Sequence, residues 1–221
     1  MMNIVQKNFL EEKPSGEKRN NQIDFLKGLA IIAVILYHMD ILTYGYLGVD
    51  LFLVINGYLI TISILRSYDR GNFSYFKFLI KRIIRLWPLV LLAGIVSLAI
   101  GYFSMLPDDL ENLGQSVVAS NFFANNILSK ITTRNYWAIG QKYKPLMHTW
   151  YLGIIVQFYV IYPLIVMLVH KFSSKFAISF RKNLAWVTAV LTAVSLGLNL
   201  TAIDTGAQFY YLQYRFFEMT I

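Results

Sequence analysis

Lys27 and His38 stand eleven residues apart in the stretch DFLKGLAIIAVILYH. At 3.6 residues per turn this is about three helical turns, so a helix carries both on one face, roughly 16 Å apart along its axis. Asp24 lies one turn before Lys27, near the same face. Ionisable groups inside an apolar helix are costly unless they face water or a protein-lined cavity. In such a cavity an imidazole can take the proton of a hydroxyl, because imidazole exchanges protons near neutrality. The plainer alternative makes Asp24 and Lys27 headgroup anchors and His38 a cap on the far end of a span. Spacing alone leaves both open.

Other polar residues break the apolar blocks. Asp50, Asn56 and Gly57 interrupt the second block; they fit either a site or a helix packed on its neighbours through small polar groups. Lys81, Arg82 and Arg85 cluster at the entrance of the third. They fit membrane topology, or the gripping of phosphates by guanidinium groups. His148, Trp150 and Gln157 open a later block, with Trp150 and Gln157 sharing a face at seven-residue spacing. Alone, Trp150 is an interfacial belt residue and His148 a solvated border histidine. His170 sits beside Lys171 in a basic stretch and carries no expected role.

The elements that must position these groups are membrane helices. Of 221 residues, 57% are hydrophobic and 14% charged, with mean hydropathy +0.51. A soluble domain is nearer one quarter charged. The apolar residues run in blocks approaching the roughly 20 that a span needs. The formal charge of +8 falls between those blocks, which reads as topology and not as nucleic-acid binding. The absence of cysteine excludes disulfides, thiolate metal sites and a cysteine nucleophile. Residues 1–22 are polar and mixed in charge, without a small-residue cleavage pattern, and read as a cytoplasmic tail ahead of the membrane domain.

The expected fold is all-α, a polytopic transmembrane bundle of five to six spans. Spans are expected at about Ile23–Leu42, Val49–Leu65, Leu86–Phe103, Leu146–Val169 and Leu184–Ala202, with a last amphipathic piece, AQFYYLQYRFFEMTI, beginning another. The loop before Leu86 carries Arg66, Arg70, Lys77, Lys81, Arg82 and Arg85 against Asp69 alone, so it is expected inside. Lys171, Lys175, Arg181 and Lys182 mark the inside again. Two spans between tail and loop put the N-terminus in the cytoplasm. Residues 104–146 are expected outside, with Val117–Leu128 forming a short helix that does not cross.

In this order the pieces resemble the acyltransferase-3 family of multi-span membrane acyltransferases. DFLKGLAIIAVILYH is similar to its first helix, a basic residue, ten intervening residues and then His. YGYLGVDLFLVINGYLI resembles its Gly-Val-Asp-Leu-Phe-Phe-Val-x-Ser-Gly block. FKFLIKRIIRLWPL resembles its Arg-rich entry ending in Pro. PLMHTWYLGIIVQFYVIYPL resembles its His-x-Trp-Ser-Leu-x-x-Glu-x-Gln-Phe-Tyr block, and FYYLQYRFFEM a later Tyr-rich segment with Arg and Glu. The resemblance runs from about residue 22 onward.

It implies transfer of an acyl group, most often acetyl, from cytoplasmic acyl-CoA to a hydroxyl of a cell-surface or secreted carbohydrate. No tightly bound cofactor is implied; acyl-CoA is a donor substrate. By position, His38 is the implied catalytic base and Lys27 its basic partner. Arg82 and Arg85 would hold CoA phosphates, while Asp24, Asp50, His148, Gln157, Arg215 and Glu218 would line the cavity. The expected partners are the lipid bilayer, the donor and the carbohydrate, at a multi-pass position in the cell membrane.

Three residues depart from the pattern. Lys27 replaces the commoner Arg, Asn56 stands at the Ser position, and Ile155 replaces a Glu found in many members. Members have about ten spans, twice what ~20-residue spans allow here, so the chain is expected to be an N-terminal part. A transport subunit for acyl groups or glycans, and an inactive truncated remnant, are the competing readings.

Overall fold

The computed structural model describes residues 21–132 and 144–220. The described residues are almost entirely helical and contain no strand. They form two compact units divided inside one helix, after Phe52, and each is described by itself. The tail expected over residues 1–22 lies outside the described residues except for Asn21 and Gln22, which open the first helix.

The first unit holds α1, Asn21–His38, and the start of α2, Leu47–Asp69. Asp24 in the first turn of α1 complements the helix dipole, and His38 lies in the last turn. A turn with Asp40 in the left-handed region (φ 57°) reverses the chain; a short Asp side chain tolerates that conformation. Gly45 of the turn then lies against Ala33 of α1, and Gly48 at the start of α2 against Ala30.

The second unit continues α2 and adds α3, Tyr75–Ser104; α4, Pro107–Asn121; α5, Asn125–Thr132; a 3-10 turn, Met147–Thr149, running into α6, Trp150–Lys175; α7, Phe180–Thr201; α8, Thr205–Tyr210; and α9, Leu212–Thr220. The most central helix is α6. Of its most apolar stretch 56% is buried, against 11% for α3 and α7, whose large side chains face outward. Thr61 of α2 donates to the Tyr162 hydroxyl at 3.1 Å, and the Tyr75 hydroxyl of α3 donates to the Val160 carbonyl at 3.3 Å. Phe158 stacks on Tyr162 with ring centroids 4.7 Å apart.

A polar stripe on α7 explains where α9 goes. Thr192, Ser195 and Asn199 recur every three to four residues, hence on one face. The Ser195 hydroxyl donates to the Gln213 carbonyl (2.7 Å) and accepts from the Phe217 N–H (3.0 Å). Asn199 donates to the Tyr214 carbonyl (2.9 Å), and the Thr192 and Thr220 hydroxyls are 2.7 Å apart. Small polar side chains of this kind join helices where apolar packing gives no preference.

Among the described residues the span count is four and not five to six. Leu47–Asp69, Tyr75–Ser104, Met147–Lys175 and Phe180–Thr201 are long and apolar enough to cross a membrane. The expected first span falls short: α1 has 18 residues with polar groups in its first two turns, and at 1.5 Å per residue it reaches ~27 Å, under the roughly 30 Å of a bilayer core. The last amphipathic piece breaks into α8 and α9, of six and nine residues. The basic loop is also largely absent as a loop: Lys77, Lys81, Arg82 and Arg85 already belong to α3, because Lys, Arg, Leu and Ile are adequate helix formers. Segment 117–128 is split between the end of α4 and the start of α5, neither of them a span.

Gly57 marks where α2 meets α9. A Cβ there would run into the Met219 carbonyl oxygen and lie 2.5 Å from its carbon. Backbone cannot swing aside as a side chain can. Gly57→Val is therefore expected to destabilise by about 1–3 kcal/mol or more. Gly28→Ala, where nothing lies within 4 Å, is expected to leave stability unchanged or slightly raised. Thermal unfolding of the two detergent-solubilised variants checks the contrast.

Candidate active site

In the first unit, Lys27 Nζ lies 3.9 Å from Asp24 Oδ1, one turn apart on α1. Both side chains are about one-third exposed, so the pair is a modest one. His38 closes the helix, exposed, with its ring edge-on to Tyr37 at 5.3 Å between centroids. Asp50 is half-buried in the first turn of α2. The expected ordering of Asp24, Lys27 and His38 along one helix is present.

In the second unit, Arg82 is held by its own surroundings. Its guanidinium lies 3.5 Å over the Phe78 ring and 5.7 Å from that of Tyr159. Nη1 donates to the Phe78 carbonyl and Nη2 to the Ser63 hydroxyl, both at 3.2 Å. Arg85, one turn further, is exposed. One arginine is thus seated on aromatic faces while its neighbour extends outward. Ser63 and Phe78, which fix this arrangement, carried no signal in the sequence.

The α6 residues gather a second group. Trp150 is buried, with its ring 4.5 Å from Phe209 and 5.8 Å from the Arg215 guanidinium. Arg215 Nη1 donates to both carboxylate oxygens of Glu218, at 2.9 and 3.2 Å, and Nε donates to the Phe209 carbonyl at 3.1 Å. These side chains are only 12% and 10% exposed. Gln157 Nε2 donates to Asn126 Oδ1 at 3.0 Å. Trp150 and Gln157 do share a face: Trp150 packs its ring 6.0 Å from that of Tyr210, and Gln157 reaches the Tyr210 carbonyl through Asn126. His148, in the 3-10 turn, is exposed. Ile155 is buried in the apolar interior.

Asn56 donates to the Tyr151 hydroxyl at 2.8 Å, so the departure from Ser gives α2 a polar tie to α6. Asn125 donates to the Leu146 carbonyl (2.9 Å) and to the Thr149 hydroxyl (2.7 Å), which in turn meets Ser120 at 2.7 Å. This buried network anchors α4 and α5 to the entrance of α6.

A family model described as "Acyltransferase domain", that of acyltransferase-3, matches residues 20–219. The chain belongs to the acyltransferase-3 family. The match takes in α1, α6 and α9 alike, and so every residue of the groups above. Among similar proteins, "Putative O-acetyltransferase SACOL0978" of Staphylococcus aureus (strain COL) is 33% identical over 182 residues, 80% of this chain and 28% of its own length. "O-acetyltransferase OatA" of Staphylococcus aureus (strain NCTC 8325 / PS 47) is 32% identical over 185 residues, with the same coverage. The chain therefore spans little more than a quarter of the curated relatives it matches. No solved structure matches it.

Lys130 of α5 and Asp204, the residue capping α8, form an ion pair at 2.7 Å outside the spans. The Lys130 ammonium and the Ala207 N–H hold the Asp204 carboxyl below its ordinary value. The sign follows from linkage: a depressed folded value means stability that is present above the ordinary pKa of 3.8 and lost as pH falls through the folded value. Asp204→Asn keeps a capping side chain and removes the charge. Its melting temperature is expected to fall below wild type at neutral pH and to converge with it as pH drops below about 4. Unfolding scans in detergent across that range provide the check.

Proposed function

We propose that this chain is the membrane part of an O-acyltransferase. It moves an acyl group, acetyl in the first instance, from acyl-CoA to a hydroxyl of a cell-surface or secreted carbohydrate. The observation that carries the reading is the family match along residues 20–219, supported by the O-acetyltransferase names of the similar proteins. The multi-pass chain sits in the cell membrane with the basic start of α3 in the cytoplasm, where the donor is found.

In the proposed reaction His38 removes the proton of the acceptor hydroxyl. The alkoxide oxygen attacks the thioester carbonyl and forms the new C–O bond. The tetrahedral intermediate collapses, the C–S bond breaks, and the CoA thiolate leaves with the proton that the imidazolium returns. Lys27, paired to Asp24, is the basic residue at the entrance of the helix that carries His38. Arg85 and Arg82 bind CoA phosphates; Arg85 extends outward, and Arg82 is oriented by Phe78 and Ser63. Asp50, His148, Gln157, Arg215 and Glu218 bind or shape the place of the acceptor.

The test compares a strain carrying the gene with one lacking it, both fed isotopically labelled acetate. Labelled, alkali-releasable acetate on the surface glycans only where the gene is present supports the proposal. Equal label in both strains sinks it.

A further inference from the structure

We infer that Asn126 is a positioning residue for Gln157, an inference that rests on the reading of Gln157 as a group that meets the acceptor. Asn126 lies in the first turn of α5 and is wholly buried, at 0% exposure. Its Nδ2 donates to the Tyr210 carbonyl at 2.9 Å. A carbonyl only accepts, so this bond fixes which end of the Asn126 amide is nitrogen. Oδ1 must then face the other way, where it accepts from Gln157 Nε2 at 3.0 Å. The sense of the Gln157 amide is set in turn: nitrogen against Asn126 Oδ1, with Oε1 left 3.5 Å from Asn126 Nδ2, at the limit of a hydrogen bond.

Two further features hold this relay still. Gly153 lies one turn before Gln157 on α6, and a Cβ there would collide with Asn126 Oδ1 and come within 3.0 Å of its Cγ. The asparagine is seated against α6 because that position has no side chain. The other end of the relay is backbone: Tyr210 ends α8, where carbonyls have no partner within the helix. The neighbouring Phe209 carbonyl is taken by Arg215 Nε. The last turn of α8 is thus pinned by two side chains, and Asn126 takes its orientation from that fixed point.

Gln157 is half-buried. After the bond to Asn126 it keeps one N–H and the lone pairs of Oε1. A donor beside an acceptor matches an alcohol, which both donates and accepts. An unheld amide would offer either end; one held by Asn126 offers a single arrangement to the acceptor sugar.

The experiment is a double-mutant cycle in the expressing strain. Alkali-releasable acetate on surface glycans is measured for wild type, Asn126→Ala, Gln157→Ala and the pair, normalised to membrane abundance. Acetyl-CoA affinity of each purified protein is measured in detergent. Each single variant is expected to lose about tenfold in ester, and the pair no more than Gln157→Ala alone, because both remove one interaction. Acetyl-CoA affinity is expected to stay within about twofold of wild type, since the relay does not touch the donor. Where Asn126→Ala fails to accumulate, Asn126→Leu, of nearly the same shape, replaces it in the cycle. Losses that multiply, or donor affinity that falls in parallel with ester, reduce Asn126 to a packing residue and overturn the inference while acyl transfer stands. A wild type yielding no more ester than the strain without the gene overturns acyl transfer and this inference together.

Discussion

Replacing His38 by alanine is expected to lower acyl transfer by about 10²–10⁴-fold, the usual worth of a positioned acid–base group. Membrane abundance should remain at the wild-type level. The two expectations belong together. His38 is exposed at the end of α1, so truncating it opens no cavity in a core, and such surface changes cost within about 0.5 kcal/mol. A loss of ester at constant abundance therefore reports chemistry and not folding. His38→Gln sharpens the point, because an amide can hydrogen-bond a hydroxyl but cannot accept its proton. It should be nearly as inactive as alanine. A transport subunit would tolerate both changes. The measurement is ester-linked acetate on surface glycans, with immunoblot quantification of the protein. Equal ester in wild type and variant would remove His38 from the reaction.

The second large effect is on stability. Glu218→Ala is expected to destabilise by about 3–5 kcal/mol, because it strands a buried guanidinium. Arg215 and Glu218 are one turn apart on α9 and among the most buried charges described. Arg215 Nε stays on the Phe209 carbonyl, but a peptide oxygen does not neutralise a cation. The double change Arg215→Met with Glu218→Leu removes both charges at similar volume and should recover part of the loss, as apolar replacements of buried pairs often do. Melting temperatures in detergent decide it. A double variant as unstable as Glu218→Ala would mean that the stranded charge is not the cause.

Much of the framework was legible in the sequence because the hydrophobic effect writes long periods. The apolar blocks that became α2, α3, α6 and α7 are long, and a long apolar block is recognised without knowledge of its neighbours. Trp150 and Gln157 could be placed on one face for the same reason. The boundaries were less legible. Lys77, Lys81, Arg82 and Arg85 suggested a loop, yet long cationic side chains extend to a surface from a helix as easily as from a coil. The first expected span falls short because its apolar centre, Gly28–Leu36, is flanked by polar residues at both ends of α1.

Asn125 and Asn126 carry no local signal of burial. They sit within Val117–Leu128, expected as a short helix that does not cross, with no role for either asparagine. Their partners, from Leu146 to Tyr210, lie 21 to 84 residues further along, and no local pattern records that. His170 gives a milder example. It was assigned no role, and the structure places its ring between Tyr68 at 4.6 Å and Phe180 at 5.0 Å, closing an aromatic cluster at the ends of three helices. Ile155 works in the opposite direction. Its buried, apolar setting shows that the position has been absorbed into the core of α6.

The seat of Met219 on Gly57 has a consequence for biogenesis. The two positions are 162 residues apart. At about 5–20 residues per second of synthesis, α2 leaves the ribosome roughly 8–32 s before the segment that fills its notch. Throughout that interval the bare glycine face is open to lipid or to an insertion chaperone, and nascent chains arrested before residue 212 should be the ones that crosslink there.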